Sequence, residues 1–230
     1  MGHFVMVDGI EGAGKHVVME EAASLFKHIF DLRAYTKEKG AFRAIEEIRQ
    51  DVVFSVEPTF TTVGKAIREE MLKSDYKYSS LSTAHAFALD REILYHRMII
   101  PLRKLGKTII QERGIVSSLV YQPIQLEQLT LRDIMNIQGN RIAIRNAPDF
   151  LIILKADPEK VSNHSKKAFD SLFFARKIEE RFESDWLRQL FERFGTKVKY
   201  LDGNVPPAVL REEAKRLFAE TVLGGQATLA

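Results

Sequence analysis

Short apolar segments alternate along the chain with longer segments in which apolar residues recur at helical spacing. The short segments predict five strands, at His3–Asp8, Val52–Val56, Lys107–Glu112, Phe150–Lys155 and Lys197–Leu201. The periodic segments predict helices over Val17–Phe30, Phe42–Arg49, Ala66–Lys73, Ser82–Leu105, much of Leu119–Asn146, Ser171–Phe194 and Pro207–Glu220. Strands that are apolar throughout and separated by helices are typical of a parallel sheet covered on both faces. We therefore predict a three-layer α/β/α fold with a five-stranded parallel sheet.

Composition and charge narrow the class of protein. The 230 residues, 45% of them hydrophobic, contain no linker or internal repeat, so we expect a single domain over residues 1–230. Cysteine is absent, which excludes disulfides and thiolate metal sites, and the six histidines show no ligand spacing. A net charge of +3 is too small for a nucleic-acid-binding signature, and no apolar stretch is long enough to cross a bilayer. We expect no nucleic-acid or membrane partner, and a cytoplasmic location because a strand pattern replaces any secretion signal.

The strongest motif is the glycine-rich sequence GIEGAGK, which follows the first predicted strand and precedes a helix. Such a loop turns its backbone N–H groups around phosphate oxygens, and the helix dipole adds positive potential. Its lysine supplies a mobile charge for the β- and γ-phosphates of a nucleotide. The alternative is a structural turn with a chance lysine. The predicted nucleotide-binding residues here are Gly9, Glu11, Gly12, Ala13, Gly14, Lys15, His16 and Val17.

Four further segments, in the same order along the chain, resemble those of thymidylate kinases, and together they cover nearly the whole sequence. They are Glu57-Pro58-Thr59 with Val63–Arg68, Phe87–Arg91, Glu112-Arg113 with Ser117–Gln122, and Ala147–Ile152 with Ala156–Glu159. The resemblance implies a P-loop kinase fold with a short lid, here at about residues 157–175. It also implies ATP and Mg²⁺ as cofactors, dTMP as acceptor, and a homodimer formed through the long helices.

The resemblance also implies roles for individual residues. Arg91 and Arg113 would hold the acceptor phosphate and the phosphoryl group in flight, which suits a planar, permanently charged guanidinium. Phe87, one helical turn from Arg91, would stack on the thymine ring, and Glu11 would read the sugar 3′-hydroxyl. Surface salt bridges, a core phenylalanine and a solvated acid are the alternatives. Further acceptor-site residues would be Glu57, Pro58, Ser118, Tyr121 and Gln122, where helix packing is the alternative for the last two.

Glu112 ends an apolar strand where a parallel sheet offers its ligand crevice, and the resemblance implies that it acts on Mg²⁺ through water. Together with Lys15, Arg91 and Arg113 it completes the predicted catalytic set.

The sequence departs from the family pattern at several positions. His16 replaces the Ser or Thr whose hydroxyl binds Mg²⁺, and imidazole is a poor ligand for that hard cation. Gly114 replaces an aromatic residue, Val116 replaces Asp, the Glu57-Pro58 segment lacks an arginine, and Arg33–Gln50 is a longer connection than the family normally uses. The lid offers only lysines, at positions 160, 166 and 167, so Arg176 is the nearest arginine that could close over the γ-phosphate.

The leading hypothesis is therefore ATP-dependent phosphorylation of dTMP to dTDP. The departures at metal and phosphate positions leave two alternatives open. One is a catalytically impaired nucleotide-binding homologue, and the other is a kinase for a different small acceptor.

Overall fold

Six strands form one sheet in the computed structural model, which describes residues 2–73, 78–125, 129–159 and 172–224. The strands are β1 (Phe4–Gly9), β2 (Ile29–Asp31), β3 (Val52–Val56), β4 (Thr108–Glu112), β5 (Phe150–Lys155) and β6 (Lys197–Asp202). Their spatial order is β2-β3-β4-β1-β5-β6, and every neighbouring pair is parallel. The predicted α/β class with a parallel sheet is confirmed.

Helices connect these strands within the described residues. The first are α1 (Lys15–Ser24), α2 (Leu32–Lys39), α3 (Thr62–Ala66), α4 (Ser80–Leu94) and α5 (Ile100–Lys104). The others are α6 (Ile115–Gln125), α7 (Leu131–Asn136), α8 (Gln138–Arg145), α9 (Leu172–Phe182), α10 (Asp185–Glu192) and α11 (Pro207–Thr221). A π-helical turn at Ile67–Met71 extends α3, a second at Tyr95–Ile99 joins α4 to α5, and a 3₁₀ turn covers Ile45–Glu47. The central strands are buried between these layers: every residue of β1 is buried, as is every residue of β5 except Lys155. The edge strand β6 is largely exposed.

The register of the central strands positions the site. Val7 of β1 is paired with Glu112 of β4 on one side and with Ile152 of β5 on the other. In a parallel sheet all carboxyl ends lie at one edge, which is where ligands bind in open α/β folds. The glycine-rich loop therefore leaves the sheet beside Glu112.

The prediction of five strands was wrong by one. The segment Val17–Phe30, predicted as one helix, contains α1, which ends at Ser24, and then the three-residue strand β2. So short a strand has no periodicity of its own. It exists because Ile29, Phe30 and Asp31 pair with β3 at the edge of the sheet, which is a tertiary contact.

Helix α2 was not predicted, and the helix predicted at Phe42–Arg49 is only the 3₁₀ turn at Ile45–Glu47. The Asp31 side chain caps α2 by accepting from the backbone of Arg33 and Ala34, which offsets the polar composition of the helix. The helix predicted at Ser171–Phe194 is two helices, interrupted before Asp185. The helix predicted at Ser82–Leu105 contains the π-helical turn at Tyr95–Ile99. Pro101 follows shortly after this turn, and its backbone nitrogen has no hydrogen to donate.

The predicted lid falls mostly outside the described residues, which end at 159 and resume at 172. The lysines at 160, 166 and 167 lie in that gap. None of the helices within the described ranges combines the length and apolar character that a membrane crossing requires.

Candidate active site

The glycine-rich loop joins β1 to α1 at the carboxyl edge of the sheet. Gly14, with φ of 91°, stands at the N-cap of α1, and a Cβ there would lie 2.8 Å from Leu210 Cδ2. Both the positive φ and the close approach favour glycine. No side chain caps α1. The Val17 amide donates to Gly14 O at 2.9 Å, whereas the amides of Lys15 and His16 precede the first intrahelical hydrogen bond. Unpaired amides at a helix N-terminus are the groups that bind phosphate.

Lys15 is the first residue of α1 and is buried. Its Nζ donates to the carbonyl oxygens of Gly9, at 2.9 Å, and Ile10, at 2.7 Å. Burial and, to a smaller extent, the charge of nearby Arg113 lower the pKa of Lys15 to about 7, against the opposing effects of Asp8 and Glu112. The predicted catalytic residues Lys15, Glu112 and Arg113 thus lie within electrostatic reach of one another.

Asp8, the residue before the loop, is a functional candidate that the sequence analysis missed. It is fully buried at the end of β1, and its carboxylate accepts from Ser117 Oγ at 2.8 Å and from Gly9 N at 2.9 Å. Burial raises its pKa, while Arg113 and Lys15 hold it down. An acid as the last polar residue of an apolar strand, directly before the glycines, was the signal available in the sequence.

A cavity of about 610 Å³ opens beside this loop. The loop contributes Glu11, β4 contributes Glu112, and α4 contributes Phe87 and Arg91. All the acceptor-site residues predicted from the sequence line it, namely Glu11, Glu57, Pro58, Phe87, Arg91, Arg113, Ser118, Tyr121 and Gln122. Residues that were not predicted complete the wall: Arg33, Ala34, Lys37, Val56, Phe60, Arg68, Leu72, Thr83, Gly114, Ser117 and Gln125.

Arg113 follows β4 with a left-handed backbone, φ of 60°, which is uncommon outside glycine. Two hydrogen bonds hold that conformation: its N–H donates to Val7 O at 2.8 Å, and its carbonyl accepts from Gln111 Nε2 at 3.0 Å. Asp8 and Tyr121 both favour its charged form, and the pKa of Arg113 is raised despite the opposing effect of burial. A strained backbone that the surrounding structure enforces is typical of functional positions.

Arg91 is buried, with 1% of its surface exposed, at the floor of the cavity. Its Nε donates to Glu57 Oε2 at 2.8 Å, its Nη2 to Ser118 Oγ at 2.9 Å, and its Nη1 to Asn140 Oδ1. Each nitrogen of the guanidinium therefore already has an acceptor within the protein. Burial raises the pKa of the Glu57 carboxyl to about 7, outweighing the opposing effect of Arg91.

The Glu57-Pro58 segment is held against α4 by a second acid. Asp90 accepts from Thr59 N at 2.7 Å and from Thr59 Oγ1 at 2.6 Å. On the other side, Arg68 Nε donates to Pro58 O at 2.9 Å, and its guanidinium lies 4.1 Å from the centre of the Phe60 ring. These contacts fix one wall of the cavity.

Comparisons with known proteins identify the family. A family model described as thymidylate kinase matches residues 7–213. The chain belongs to the thymidylate kinase family. It is 32% identical over 206 residues to a probable thymidylate kinase of Thermococcus onnurineus, covering 83% of this chain and 85% of that one. It is 33% identical over 171 residues to a probable thymidylate kinase of Pyrococcus abyssi, covering 73% and 71%.

The fold agrees as well. The crystal structure of a thymidylate kinase from Ehrlichia chaffeensis superposes with a TM-score of 0.61 at 19% identity, covering 95% of this chain and 99% of that one. The likeness of that structure extends over almost the whole of both chains, so the family's architecture is retained here.

Two departures from the family pattern have local packing reasons. Gly114 is buried, and a Cβ there would lie 2.6 Å from Met6 Cε. The Met6 side chain therefore occupies the space that a side chain at position 114 would need. Val116 is also fully buried, in the core cluster, while the neighbouring Ser117 contacts Asp8.

Arg176 does not line the cavity. Its guanidinium lies 2.6 Å from Glu159 Oε1, and both side chains are largely exposed. His16 is exposed on the first turn of α1, next to Lys15.

Proposed function

We propose that this thymidylate kinase homologue uses ATP to phosphorylate dTMP to dTDP, with the triphosphate on the glycine-rich loop and dTMP in the adjacent cavity. The observation that carries the proposal is that Glu112 and Arg113 line the cavity within electrostatic reach of Lys15 on the glycine-rich loop. Phosphoryl transfer requires in-line alignment and charge neutralisation more than covalent participation of the protein. A cavity beside the phosphate loop would align the acceptor phosphate with the γ-phosphate of ATP.

On the donor side, the amides between Gly9 and Val17 bind the phosphates. Lys15 exchanges its two carbonyl acceptors for phosphate oxygens, a short movement because those carbonyls belong to the same loop. Glu11, which is exposed on the loop and also lines the cavity, lies where it contacts a sugar hydroxyl.

On the acceptor side, Phe87 stacks on the thymine ring. Arg91, Ser118 and Gln122 form the polar floor beneath it, and Glu57 and Pro58 form a side wall. Arg91, already bonded to three protein acceptors, gives this floor its rigidity. Arg113, whose backbone conformation is held by two hydrogen bonds and whose charge interacts with Asp8 and Glu11, binds the phosphoryl group as it passes between the nucleotides.

Mg²⁺ is the cofactor that such a transfer requires, and it neutralises charge on the transferring phosphate. Glu112 offers carboxylate oxygens at the cavity wall, which suit a hard cation. Among the described residues no group of three or more acidic or histidine side chains forms a metal cage. The ion in kinases is usually held by one or two carboxylates together with substrate phosphates, so Glu112 and the nucleotides suffice.

The experiment is ADP release measured with dTMP, dUMP, dCMP, dAMP and dGMP as acceptors in turn. We expect turnover with dTMP well above that with the purine nucleotides. The Lys15→Met variant is the control for contaminating kinases, because it retains the fold and loses the loop charge. Background rates with all five acceptors would overturn the proposal, and turnover with another acceptor alone would reassign the substrate.

A second experiment substitutes His16, because this residue occupies the position of the Mg²⁺-binding hydroxyl. In His16→Thr we expect half-maximal activity at a lower Mg²⁺ concentration than in the natural chain. Activity that appears only in the variant would identify the natural chain as a nucleotide-binding homologue with impaired catalysis.

We further propose that the protein is a homodimer and acts in the cytoplasm. Leu81 and Leu89 are exposed on α4, by 54% and 48%, and their apolar surface supports association through that helix. Light scattering of the natural chain and of Leu89→Arg tests this, since a monomer in both would contradict it.

A further inference from the structure

The edge strand β2 and helix α2 place cationic side chains in the acceptor cavity. Arg33 and Lys37, one helical turn apart on α2, both line it, together with Ala34 between them. No motif of the sequence pointed to these residues, because the segment that carries them lies in the long connection before β3. Only the pairing of β2 with β3 brings it to the cavity.

The guanidinium of Arg33 is fixed in place. Asp31 accepts from its Nε at 3.0 Å and from its Nη2 at 2.8 Å, and the Phe54 ring lies 5.1 Å from its centre. Asp31 is itself fixed, since it also caps α2. A bidentate carboxylate and an aromatic face together remove most of the freedom of an arginine side chain. The pKa of Asp31 is lowered, because the hydrogen bonds and charge of Arg33 outweigh the effect of burial.

The third guanidinium nitrogen of Arg33, Nη1, lies towards Glu112. It is 3.9 Å from Glu112 Oε2, at the end of β4. That distance is at the limit for an ion pair and too long for a hydrogen bond. An anion placed between Arg33 and Arg113 would therefore find an N–H donor that is oriented but only loosely engaged.

Arg91 differs from Arg33 in this respect. It is deeper, fully buried, and bonded through every nitrogen to Glu57, Ser118 and Asn140. A phosphate would have to break those contacts in order to bind there. Arg33, three-quarters buried and with one edge loosely engaged, can bind a phosphate without such a loss.

We propose that Arg33 is a positioning residue that binds the phosphate of the acceptor nucleotide through Nη1, with Lys37 adding charge at the rim. This deepens the proposed function and rests on it for the identity of the acceptor. The phosphate lies between Arg33 and Arg113, on the side of the cavity towards the glycine-rich loop. Phe87 and the polar floor around Arg91 then receive the base.

The test compares two ligands that differ only in the phosphate, dTMP and thymidine, by NMR titration of the natural chain and Arg33→Met. We expect the variant to bind dTMP at least about tenfold more weakly, the usual loss for a hydrogen bond to a charged group. Thymidine affinity should stay within about twofold, because the base site is untouched. Equal losses for both ligands would show a merely structural role, and no loss for dTMP would overturn the proposal.

The matched control is Arg43→Met. Arg43 belongs to the same connection and packs on Phe30 and Tyr35, at 5.6 and 5.8 Å, but it does not line the cavity. The Arg43→Met substitution removes one positive charge from the same region, and we expect dTMP binding to be unchanged. A loss equal to that of Arg33→Met would reduce the effect to long-range charge and contradict the assignment.

Two further variants distinguish a loss of phosphate binding from a loss of the fold or of catalysis. Arg33→Lys keeps the charge but loses the fork on Asp31, so we expect part of the dTMP affinity to return. Lys37→Met should weaken dTMP binding less than Arg33→Met does. Because the readout is binding, the outcome does not depend on turnover. If the natural chain binds dTMP without phosphorylating it, the proposed activity fails while the role of Arg33 stands.

Discussion

Arg91 and Glu57 form an ion pair in the lining of the cavity, with 2.8 Å between Nε and Oε2 and at most 5% of either side chain exposed. The pair links α4 to the segment that follows β3, so it joins the two walls between which the base is proposed to bind. Gln111 Nε2 donates to the other Glu57 oxygen at 3.1 Å. The floor is therefore a connected polar network rather than an isolated contact.

Arg91→Met should destabilise the protein, because it leaves buried acceptors on Glu57, Ser118 and Asn140 without their donor. We expect a loss of about 3–5 kcal/mol in the free energy of unfolding, measured in urea. The exposed pair of Arg176 with Glu159 is the control, and Arg176→Met should cost no more than about 1 kcal/mol. A similar small loss for both variants would show that the Arg91 pair does not stabilise the fold.

The cost of Arg91→Met should grow with pH. Burial raises the folded-state pKa of Glu57 to about 7 from 4.5, so its contribution to stability is greatest below pH 4.5 and is lost as pH rises through 7. Without Arg91 that pKa rises further, and the ionised form becomes more costly. The urea experiment at pH 6 and pH 8 should therefore give the larger difference at pH 8. A pH-independent difference would contradict this.

Binding of ATP should take up protons above neutral pH. Burial lowers the pKa of Lys15 to about 7 in the free protein, and the charge of a triphosphate raises it again. At pH 8 the lysine is mostly neutral when free and protonated when bound, so affinity should fall as pH rises from 7 to 9. Calorimetry in buffers of different ionisation enthalpy measures the uptake, which Lys15→Met should abolish. Equal enthalpies in all buffers, after correction for the nucleotide, would be the contrary result.

Arg113→Lys should reduce kcat with little effect on stability. The left-handed backbone and its two hydrogen bonds stay in place, whereas the planar guanidinium in the cavity lining is lost. We expect kcat for dTMP to fall on the order of 10²–10³-fold, as when one preorganised donor to a transition state is removed. Steady-state kinetics with saturating dTMP checks this. A change confined to KM would place Arg113 in ground-state binding instead.

Phe87→Ala should weaken dTMP binding and leave ATP binding unchanged. Stacking of a base on an aromatic side chain is worth about 1–3 kcal/mol, so KM for dTMP should rise roughly five- to a hundredfold. His85→Ala, an exposed position on the same helix that does not line the cavity, is the matched control. If KM for dTMP is unaffected in Phe87→Ala, the ring belongs to the core and not to the base site.

The sequence alone determined the glycine-rich loop of this protein. The strand His3–Asp8, the glycines and Lys15 are contiguous, and a local motif predicts the loop because its chemistry depends on neighbours along the chain. The resemblance of four further segments added the acceptor-site residues, and the cavity is lined by all of them. Two strand ranges, Val52–Val56 and Phe150–Lys155, were predicted with their observed bounds, because buried strands of a parallel sheet are predominantly apolar.

Only the tertiary structure decided the rest. A three-residue strand has no period to detect, and β2 exists because β3 offers it an edge to pair with, which in turn carries Arg33 into the cavity. Likewise, the hydrogen bonds that occupy the Arg91 guanidinium come from Glu57 and Asn140, which are 34 and 49 residues away along the chain. Whether an arginine is free to bind a phosphate depends on its neighbours in space, and contacts over such separations leave no trace in local periodicity.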